Sequence, residues 1–305
     1  MKQPSKSILN YIEYSLLPVG GTELRLPKVV VTGRKPGGRL YITAGIHGAE
    51  YSAVRAAQML AEDLKNRELR GSVSILPCCN TSAFFEHCRF VIPKDGRNLN
   101  RIFPGNPNGT LSERLAYSLL GEVTSSADFH IDMHSGDTSE ALIPHVYFMS
   151  GNRDSQMLAE ASGTRYIVRS GGDKCFYQNS CLRGVPSMLM ERGGCGLWNY
   201  KESSAYKDEV LNVMGDLGMI MDRKAKSMPV YIGEAAYIDS PVDGCWYPCV
   251  SAGQDIQAGD VLGEIRDFFG NLISCITSPI DGVILVLTAS LSIKRGDPLV
   301  TVGRI

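Results

Sequence analysis

The feature that most constrains the fold is an apolar run followed by an amphipathic one, with a histidine and a glycine between them. Residues 40–46 are almost all apolar or β-branched and predict a strand, whereas residues 49–65 repeat apolar side chains three and four positions apart, which predicts a helix. His47 and Gly48 therefore lie where the chain leaves a strand. Because ligands bind at the carboxyl ends of strands in open α/β sheets, this turn is the first candidate site.

The turn also carries a pair of metal-ligand side chains. His47 and Glu50 are three residues apart, so both can reach one ion from the same turn. Zinc fits best, because it takes imidazole nitrogen and carboxylate oxygen at about 2 Å and keeps an open position in catalytic sites.

A second histidine ends another predicted strand, residues 129–133. The two-residue period of a strand places His130, Asp132 and His134 on one face, with His134 nearest the carboxyl end. We therefore predict His134 as the third ligand and Asp132 as the group that orients an imidazole. His130 is expected to be a buried core histidine, and His87 and His145 receive no role.

A carboxylate follows a third apolar run, residues 185–190. Glu191 ends this run and precedes Gly193 and Gly194, which let backbone and ligand approach closely. A carboxylate at a strand terminus fits a general base.

A polar segment separates the first two strand–helix units. Residues 80–111 are predicted to form a long loop, which in a compact domain is usually functional. It contains Arg89 and the run Arg97-Asn98-Leu99-Asn100-Arg101. Guanidinium groups bind carboxylates and stabilise oxyanions, although a surface loop with scattered charges is an equal alternative.

Composition excludes several classes of protein. The 305 residues carry a formal net charge of −1 and no long basic cluster, so neither nucleic acid nor an acidic membrane is expected as a partner. No apolar run approaches the roughly 18 residues of a membrane span, and no secretory signal is recognisable. Nine cysteines, mostly within apolar stretches, predict reduced thiols and a cytoplasmic location.

The alternation of strands and helices indicates an α/β core, predicted as residues 1–228. From residue 229 to residue 305 the pattern changes to short apolar runs separated by Gly and Asp. That pattern predicts a smaller all-β domain, either a sandwich or a barrel.

Taken together, these motifs resemble those of the succinylglutamate desuccinylase/aspartoacylase family. They are His47-Gly-Ala-Glu50, the run from Asn98 to Gly105, Asp132-Met-His134 and Glu191-Arg-Gly-Gly, in that order. The resemblance implies a mixed sheet flanked by helices, as in zinc carboxypeptidases, with a C-terminal domain similar to barrel-sandwich modules.

The resemblance also implies roles for individual residues. His47, Glu50 and His134 would bind one zinc ion per chain, and Glu191 would be the catalytic base. Asn100 and Arg101 would bind a substrate carboxylate, with Arg97 as a further substrate-binding candidate. An upstream arginine polarises the scissile carbonyl in the family; Arg89 is the candidate here, and Arg97 stays open as an alternative.

The expected activity is hydrolysis of the amide bond of an N-acyl amino acid or a related small N-acyl compound, by metal-activated water with a Glu general base. One alternative is a metallocarboxypeptidase acting on short peptides. The other is a non-catalytic small-molecule binder on the same scaffold. A homo-oligomer is left open.

Overall fold

The structure, a computed structural model, describes residues 8–15, 25–221 and 227–305. Its helices are α1 Tyr51–Leu64, α2 Thr81–Phe85, α3 Leu111–Ser126, α4 Arg153–Ser162, α5 Phe176–Leu182 and α6 Tyr200–Asp216, with a 3₁₀ turn at Leu99–Arg101. None of the described helices is long and apolar enough to span a bilayer.

The strands of the first part of the chain are β1 Ile8–Ser15, β2 Arg25–Thr32, β3 Lys35–Ala44, β4 Arg70–Leu76, β5 Val91–Ile92, β6 Arg97–Asn98, β7 Phe129–His134, β8 Glu140–Leu142, β9 His145–Met149, β10 Tyr166–Ser170, β11 Ser187–Glu191 and β12 Val230–Ile232. Those of the last part are β13 Ala235–Asp239, β14 Gly244–Pro248, β15 Asp255–Ile256, β16 Val261–Arg266, β17 Leu272–Thr277, β18 Gly282–Thr288, β19 Ser292–Ile293 and β20 Pro298–Gly303.

Nine strands form one mixed sheet in the order β1-β2-β4-β3-β7-β11-β9-β10-β12. The three central strands, β3, β7 and β11, are mutually parallel, so their carboxyl ends meet at one edge. The register pairs Ala44 with Met133 and His134 with Glu191. The sheet therefore brings the three predicted strand-end motifs to the same place.

Helices cover both faces of this sheet, and the residues of β3 alternate between the two layers. Leu40 and Ile42 belong to a core cluster that includes residues of α1, α4 and α6, whereas Tyr41 belongs to a cluster with α3 and α5. A strand that is buried on both faces exposes neither set of side chains, which is why buried apolar residues follow one another without alternation at residues 40–42 of β3.

The last part of the chain is all-β. β13, β20, β18 and β15 form one sheet, and β17, β16, β14 and β19 form another, around a core that contains Trp246. β8, from the first part of the chain, pairs with β18, and Val168 packs with Leu285 in a small apolar cluster that joins the two parts. The mixed sheet flanked by helices and the C-terminal all-β unit confirm the predicted fold class.

The boundary at residue 228 stays a prediction. β12 adds to the nine-stranded sheet beside β10, and the all-β sheets begin with β13. The prediction that residues 80–111 form one long loop is wrong: α2, the hairpin β5–β6 and the 3₁₀ turn occupy much of this segment. These elements are too short to leave a periodic pattern in the sequence.

Candidate active site

Three side chains from two neighbouring strand ends converge in a group that could hold a metal ion. The ligand atoms of His47, Glu50 and His134 all lie within 4.8 Å of one another. The Nδ1 atoms of His47 and His134 lie 2.6 Å and 3.0 Å from the two carboxylate oxygens of Glu50. Glu50 and His134 are almost completely buried, so their polar atoms have little access to solvent.

Close backbone packing holds the turn that carries His47 and Glu50. The side-chain amide of Asn80 donates to the carbonyl of Ile46, and its backbone N–H donates to the carbonyl of Gly45. Gly48 approaches α2 so closely that a Cβ atom there would lie 2.3 Å from the carbonyl carbon of Ala83. Only glycine fits this position without moving the turn.

The ring nitrogens that face away from Glu50 also have partners. His47 Nε2 lies 3.1 Å from the side-chain oxygen of Asn98, and His134 Nε2 lies 3.2 Å from Asp132 Oδ2. Such contacts fix the tautomer and leave Nδ1 free to coordinate, which is the usual arrangement around a metal-bound imidazole. Asp132 in turn accepts a hydrogen bond from Thr43.

The charges of the three residues are strongly coupled. Burial opposes ionisation of Glu50, but the imidazoles of His134 and His47 outweigh burial and lower its pKa to about 2. Burial also opposes protonation of His134, yet the carboxylates of Glu50 and Asp132 raise its pKa well above the ordinary value. Two carboxylates surround one imidazole, so their combined negative charge favours a bound cation. A divalent ion at this place would displace the proton of His134.

The residues therefore fit a zinc ion by their donor set and by one orphaned atom. Glu50 Oε2 is buried and makes no hydrogen bond of normal geometry with the described residues, although His134 Nδ1 lies 3.0 Å away. An imidazole, a carboxylate and a second imidazole are the ligand types of known catalytic zinc sites.

Glu191 ends β11 directly beside His134 in the strand register. Its Oε2 atom is buried without a hydrogen-bond partner among the described residues. Burial raises the pKa of Glu191 well above its usual value, and the carboxylates of Glu50 and Glu140 add to the rise while His134 opposes it. A buried carboxyl group with a raised pKa and an unpaired oxygen is suited to accept and return a proton.

A buried tyrosine ties the two strand ends together. The hydroxyl of Tyr206, on α6, lies 2.9 Å from the carbonyl of His134 and 2.6 Å from that of Met190. Because these carbonyls belong to β7 and β11, this hydroxyl fixes the relative position of His134 and Glu191. Sequence analysis did not single out Tyr206, since an apolar helix position offers no signal for such a bond.

A cavity of about 180 Å³ opens beside these groups. His47, His134 and Glu191 form one side of it. The other lining residues come from five different parts of the chain: Asn100, Arg101, Tyr147, Ser170, Cys175, Tyr177, Gln178, Leu189 and Tyr237. Tyr237 belongs to the all-β part, so both parts of the chain contribute to the wall.

The predicted substrate-binding residues divide into two groups. Asn100 and Arg101 line the cavity, and Asn100 accepts a hydrogen bond from the backbone N–H of Phe176. Arg97 lies outside the wall and pairs with Glu113. The roles of all three stay predictions.

Arg89, the predicted carbonyl-polarising residue, is not among the cavity-lining residues. Its Nε atom lies 3.0 Å from Asp137 Oδ2, and its guanidinium packs over Phe90. Its catalytic role also stays a prediction. The expected core position of His130 is observed: the ring is fully buried between the hydroxyls of Thr43 and Ser180.

The sequence around this site matches a known protein family. Residues 36–216 match the family model of the succinylglutamate desuccinylase/aspartoacylase catalytic domain, which is more than half of the chain. The chain belongs to this family. The matched segment contains the three candidate ligands and Glu191.

Individual relatives agree with this assignment. The N-alpha-acetyl-L-2,4-diaminobutyric acid deacetylase of Halomonas elongata is 25% identical over 292 residues, which cover 91% of this chain and 85% of that protein. The succinylglutamate desuccinylase/aspartoacylase of Rhodobacter sphaeroides has a crystal structure with a TM-score of 0.84 and 26% identity, covering 99% of this chain and 96% of that one.

A more distant relative shares the fold. The product-bound ectoine utilization protein EutE (DoeB) of Ruegeria pomeroyi has a TM-score of 0.88 at 21% identity, with coverage of 100% of this chain and 98% of that one. The fold therefore extends over the C-terminal all-β part as well.

Proposed function

We propose that this protein is a zinc-dependent hydrolase that cleaves the amide bond of a small N-acyl amino acid. The observation that carries the proposal is the convergence of His47, Glu50 and His134 beside a cavity that also contains the buried, unpaired oxygen of Glu191. Family membership and the Halomonas elongata relative, which is named as a deacetylase of an N-acetyl amino acid, support the substrate class.

In this mechanism His47, Glu50 and His134 would hold one zinc ion. A zinc ion in such a site polarises a carbonyl oxygen and lowers the pKa of water. Glu191 takes a proton from the attacking water and returns it to the leaving amine. The burial of Glu191 favours the first of these transfers, because burial stabilises the protonated acid that this transfer forms.

The remaining residues bind and orient the substrate. Arg101, whose Nη1 donates to the carbonyl of Asn100, presents a cation to the cavity and would bind the carboxylate of the amino-acid half. Arg89 remains the candidate for polarising the scissile carbonyl, a role that requires its pair with Asp137 to open. Arg97 is a further candidate for binding substrate, a role that requires its pair with Glu113 to open.

We also propose a cytoplasmic location, which the state of the cysteines supports. All nine cysteines lie in the described residues and all are free thiols, in agreement with a cytoplasmic protein.

A substrate screen of the zinc-loaded protein tests the proposal. We expect hydrolysis of at least one N-acetyl or N-succinyl amino acid, abolished by a chelator and restored by zinc. Hydrolysis of dipeptides alone would establish the carboxypeptidase alternative. Tight binding of N-acyl amino acids without any turnover would establish the binder.

A further inference from the structure

The β16–β17 hairpin ends in two adjacent phenylalanines that face solvent almost entirely. Phe268 is 95% exposed and Phe269 is 91% exposed, more than any other large hydrophobic side chain in the parts of the chain that the structure describes. Leu272 and Ile273, which follow in the same hairpin, are about half exposed. Single exposed apolar side chains are common on protein surfaces, whereas a group of them marks a place where a partner binds. We call residues 267–271 the hairpin tip.

Hydrogen bonds hold the backbone of the hairpin tip in one conformation. The carboxylate of Asp267 accepts from the backbone N–H groups of Phe269 and Asn271, both at 2.8 Å, and from the side-chain amide of Asn271 at 2.9 Å. Arg266 Nη1 donates to the carbonyl of Gly270 at 2.7 Å. The segment that carries the two aromatic rings is therefore ordered before a partner binds, which reduces the entropic cost of association.

A groove of about 480 Å³ lies between α1, α2 and the segment that precedes α6. Four of its lining residues are aromatic: Tyr51, Phe84, Phe85 and Trp198. The ring of Phe84 contacts those of Tyr51 and Phe85 edge to face, with centroids 5.5 Å and 5.3 Å apart. Phe85 and Trp198 are mostly exposed. We call this surface the aromatic groove, and further aromatic rings can pack on it in the same geometry.

The two surfaces carry opposite charges. Arg55 is the single Lys, Arg, Asp or Glu among the described residues that line the aromatic groove, and its one hydrogen bond is to Gln58 at 3.4 Å. It forms no ion pair with any described residue. Asp267, at the base of the hairpin tip, accepts from neutral amides alone, so its negative charge is also not neutralised. A contact between the two surfaces would therefore bring an anion to a cation.

We propose that two copies of this chain form a symmetric dimer in which the hairpin tip of each copy fills the aromatic groove of the other, with Asp267 beside the partner's Arg55. This inference does not depend on the proposed function.

The area that these surfaces can bury requires two such contacts. An aromatic side chain buries about 150–250 Å², so the two rings of one tip, together with the groove that they cover, account for about 600–1,000 Å². That area is below the range of about 1,200–2,000 Å² that is usual for stable interfaces, whereas two contacts reach it. A two-fold axis supplies the second contact, because it places each surface of one copy against the other surface of its partner.

The mass of the protein in solution tests the proposal. Sedimentation velocity, together with size-exclusion chromatography and light scattering, should give two chains per particle at micromolar concentration. The measurement needs neither substrate nor zinc, so its result is independent of whether the protein hydrolyses N-acyl amino acids.

The first variant removes the rings from the hairpin tip. Phe268→Ser/Phe269→Ser keeps the hydrogen bonds of the loop, because Phe269 contributes only its backbone N–H to them. The dissociation constant of the dimer should rise by about 100-fold or more, since aromatic residues at the centre of an interface contribute most of the binding energy. Tyr231→Ser is the matched control and should leave it unchanged: it also removes a half-exposed aromatic side chain, whose hydroxyl bonds to Glu160 outside both surfaces.

The second set of variants changes the groove. Phe85→Ser/Trp198→Ser removes its two most exposed rings and should raise the dissociation constant as much as the tip variant does. Arg55→Glu should raise it by about 10-fold or more, because two carboxylates would then meet.

An equimolar mixture of the tip variant and the groove double variant distinguishes the proposed contact from other dimers. Neither variant can associate with itself, but the intact tip of the groove variant can enter the intact groove of the tip variant. We expect the mixture to form a heterodimer with one contact, weaker than the unmodified dimer and detectable with a fluorescent label on one variant. Its formation also shows that both variants are folded.

Several results would overturn the proposal. One is a monomer in the unmodified protein at micromolar concentration. A second is a dimer that either double variant leaves intact, since tip against tip or groove against groove would then join the copies. A third is a mixture of folded variants, checked by circular dichroism, that stays monomeric. An unchanged dissociation constant in Arg55→Glu would contradict the placement of Asp267 beside Arg55 and overturn the contact. A monomer that cosediments with phosphatidylcholine vesicles, unlike its Phe268→Ser/Phe269→Ser variant, would assign the hairpin tip to a membrane instead of a second copy.

Discussion

The two sides of the cavity are built in different ways. The ligand side consists of His47, Glu50, His134 and Glu191, which follow three adjacent parallel strands whose register fixes their positions. The opposite wall is assembled from segments far apart in the chain, such as Tyr147 on β9, Tyr177 on α5 and Tyr237 on β13. The sheet therefore supplies the candidate catalytic groups, whereas the peripheral segments supply the surface that would contact the rest of a substrate.

The largest effect should come from the ligand side. Glu191→Gln keeps the shape of the side chain but removes its ability to take a proton. Turnover should fall by about 10²–10⁴-fold, the usual contribution of general base catalysis. If steady-state assays give a rate within a few-fold of the unmodified enzyme, the ligand side does not contain the base.

The difference between the two sides of the cavity also determines which site residues could be predicted from the sequence. The candidate ligands and the candidate base were predictable because each lies at the end of an apolar strand, and strand ends have a known place in α/β folds. They are His47 with Glu50, His134 and Glu191. Tyr237 was not, because it lies in the all-β part, and no local pattern says that β13 approaches the cavity. The helix α5, with Tyr177, was missed for a related reason: a run of six consecutive buried residues leaves no amphipathic period.

The contacts behind the ligands should matter less than the ligands themselves. Asp132→Asn weakens the partner of His134 Nε2 without removing a ligand, and should lower zinc affinity by about 10–100-fold. A competition titration with a chromophoric chelator measures this. Asp128→Asn is the control, because Asp128 pairs with Arg39 at the surface. Equal zinc affinities in the two variants would show that Asp132 does not stabilise the bound zinc ion through His134.

The junction between β7 and β11 should contribute mainly to stability. Tyr206→Phe leaves the carbonyls of His134 and Met190 without their shared donor in a buried place. The free energy of unfolding should fall by about 1–3 kcal/mol, as measured by chemical denaturation. Tyr231→Phe should change it by less than about 0.5 kcal/mol. If Tyr231→Phe lowered the free energy of unfolding more than Tyr206→Phe, other contacts would have to hold the two strand ends together.

The smallest expected effect is a dependence of stability on pH. It arises from buried histidines, one of which, His145, contacts the cavity-lining Tyr147. Burial lowers the pKa of both His145 and His130 to about 4. Between about pH 4 and the ordinary value near 6.5, the unfolded chain binds more protons than the folded one. The stabilisation from keeping these rings neutral is therefore complete above pH 6.5 and is lost as the pH falls toward 4.

This pH dependence can be assigned by substitution. Each histidine contributes a slope of at most about 1.4 kcal/mol per pH unit. His145→Gln should lower the slope of unfolding free energy against pH in this range, whereas His87→Gln, at an exposed position, should leave it unchanged. An unchanged slope in His145→Gln would contradict a neutral, buried ring at this position.

The central claim is that Glu50 binds the metal while Glu191, beside it, does not. Elemental analysis of the unmodified protein, Glu50→Gln and Glu191→Gln, each dialysed against the same zinc buffer, tests it most directly. We expect one zinc ion per chain in the unmodified protein and in Glu191→Gln, and a large loss of zinc in Glu50→Gln. Full zinc in Glu50→Gln together with its loss in Glu191→Gln would contradict the assignment of both carboxylates.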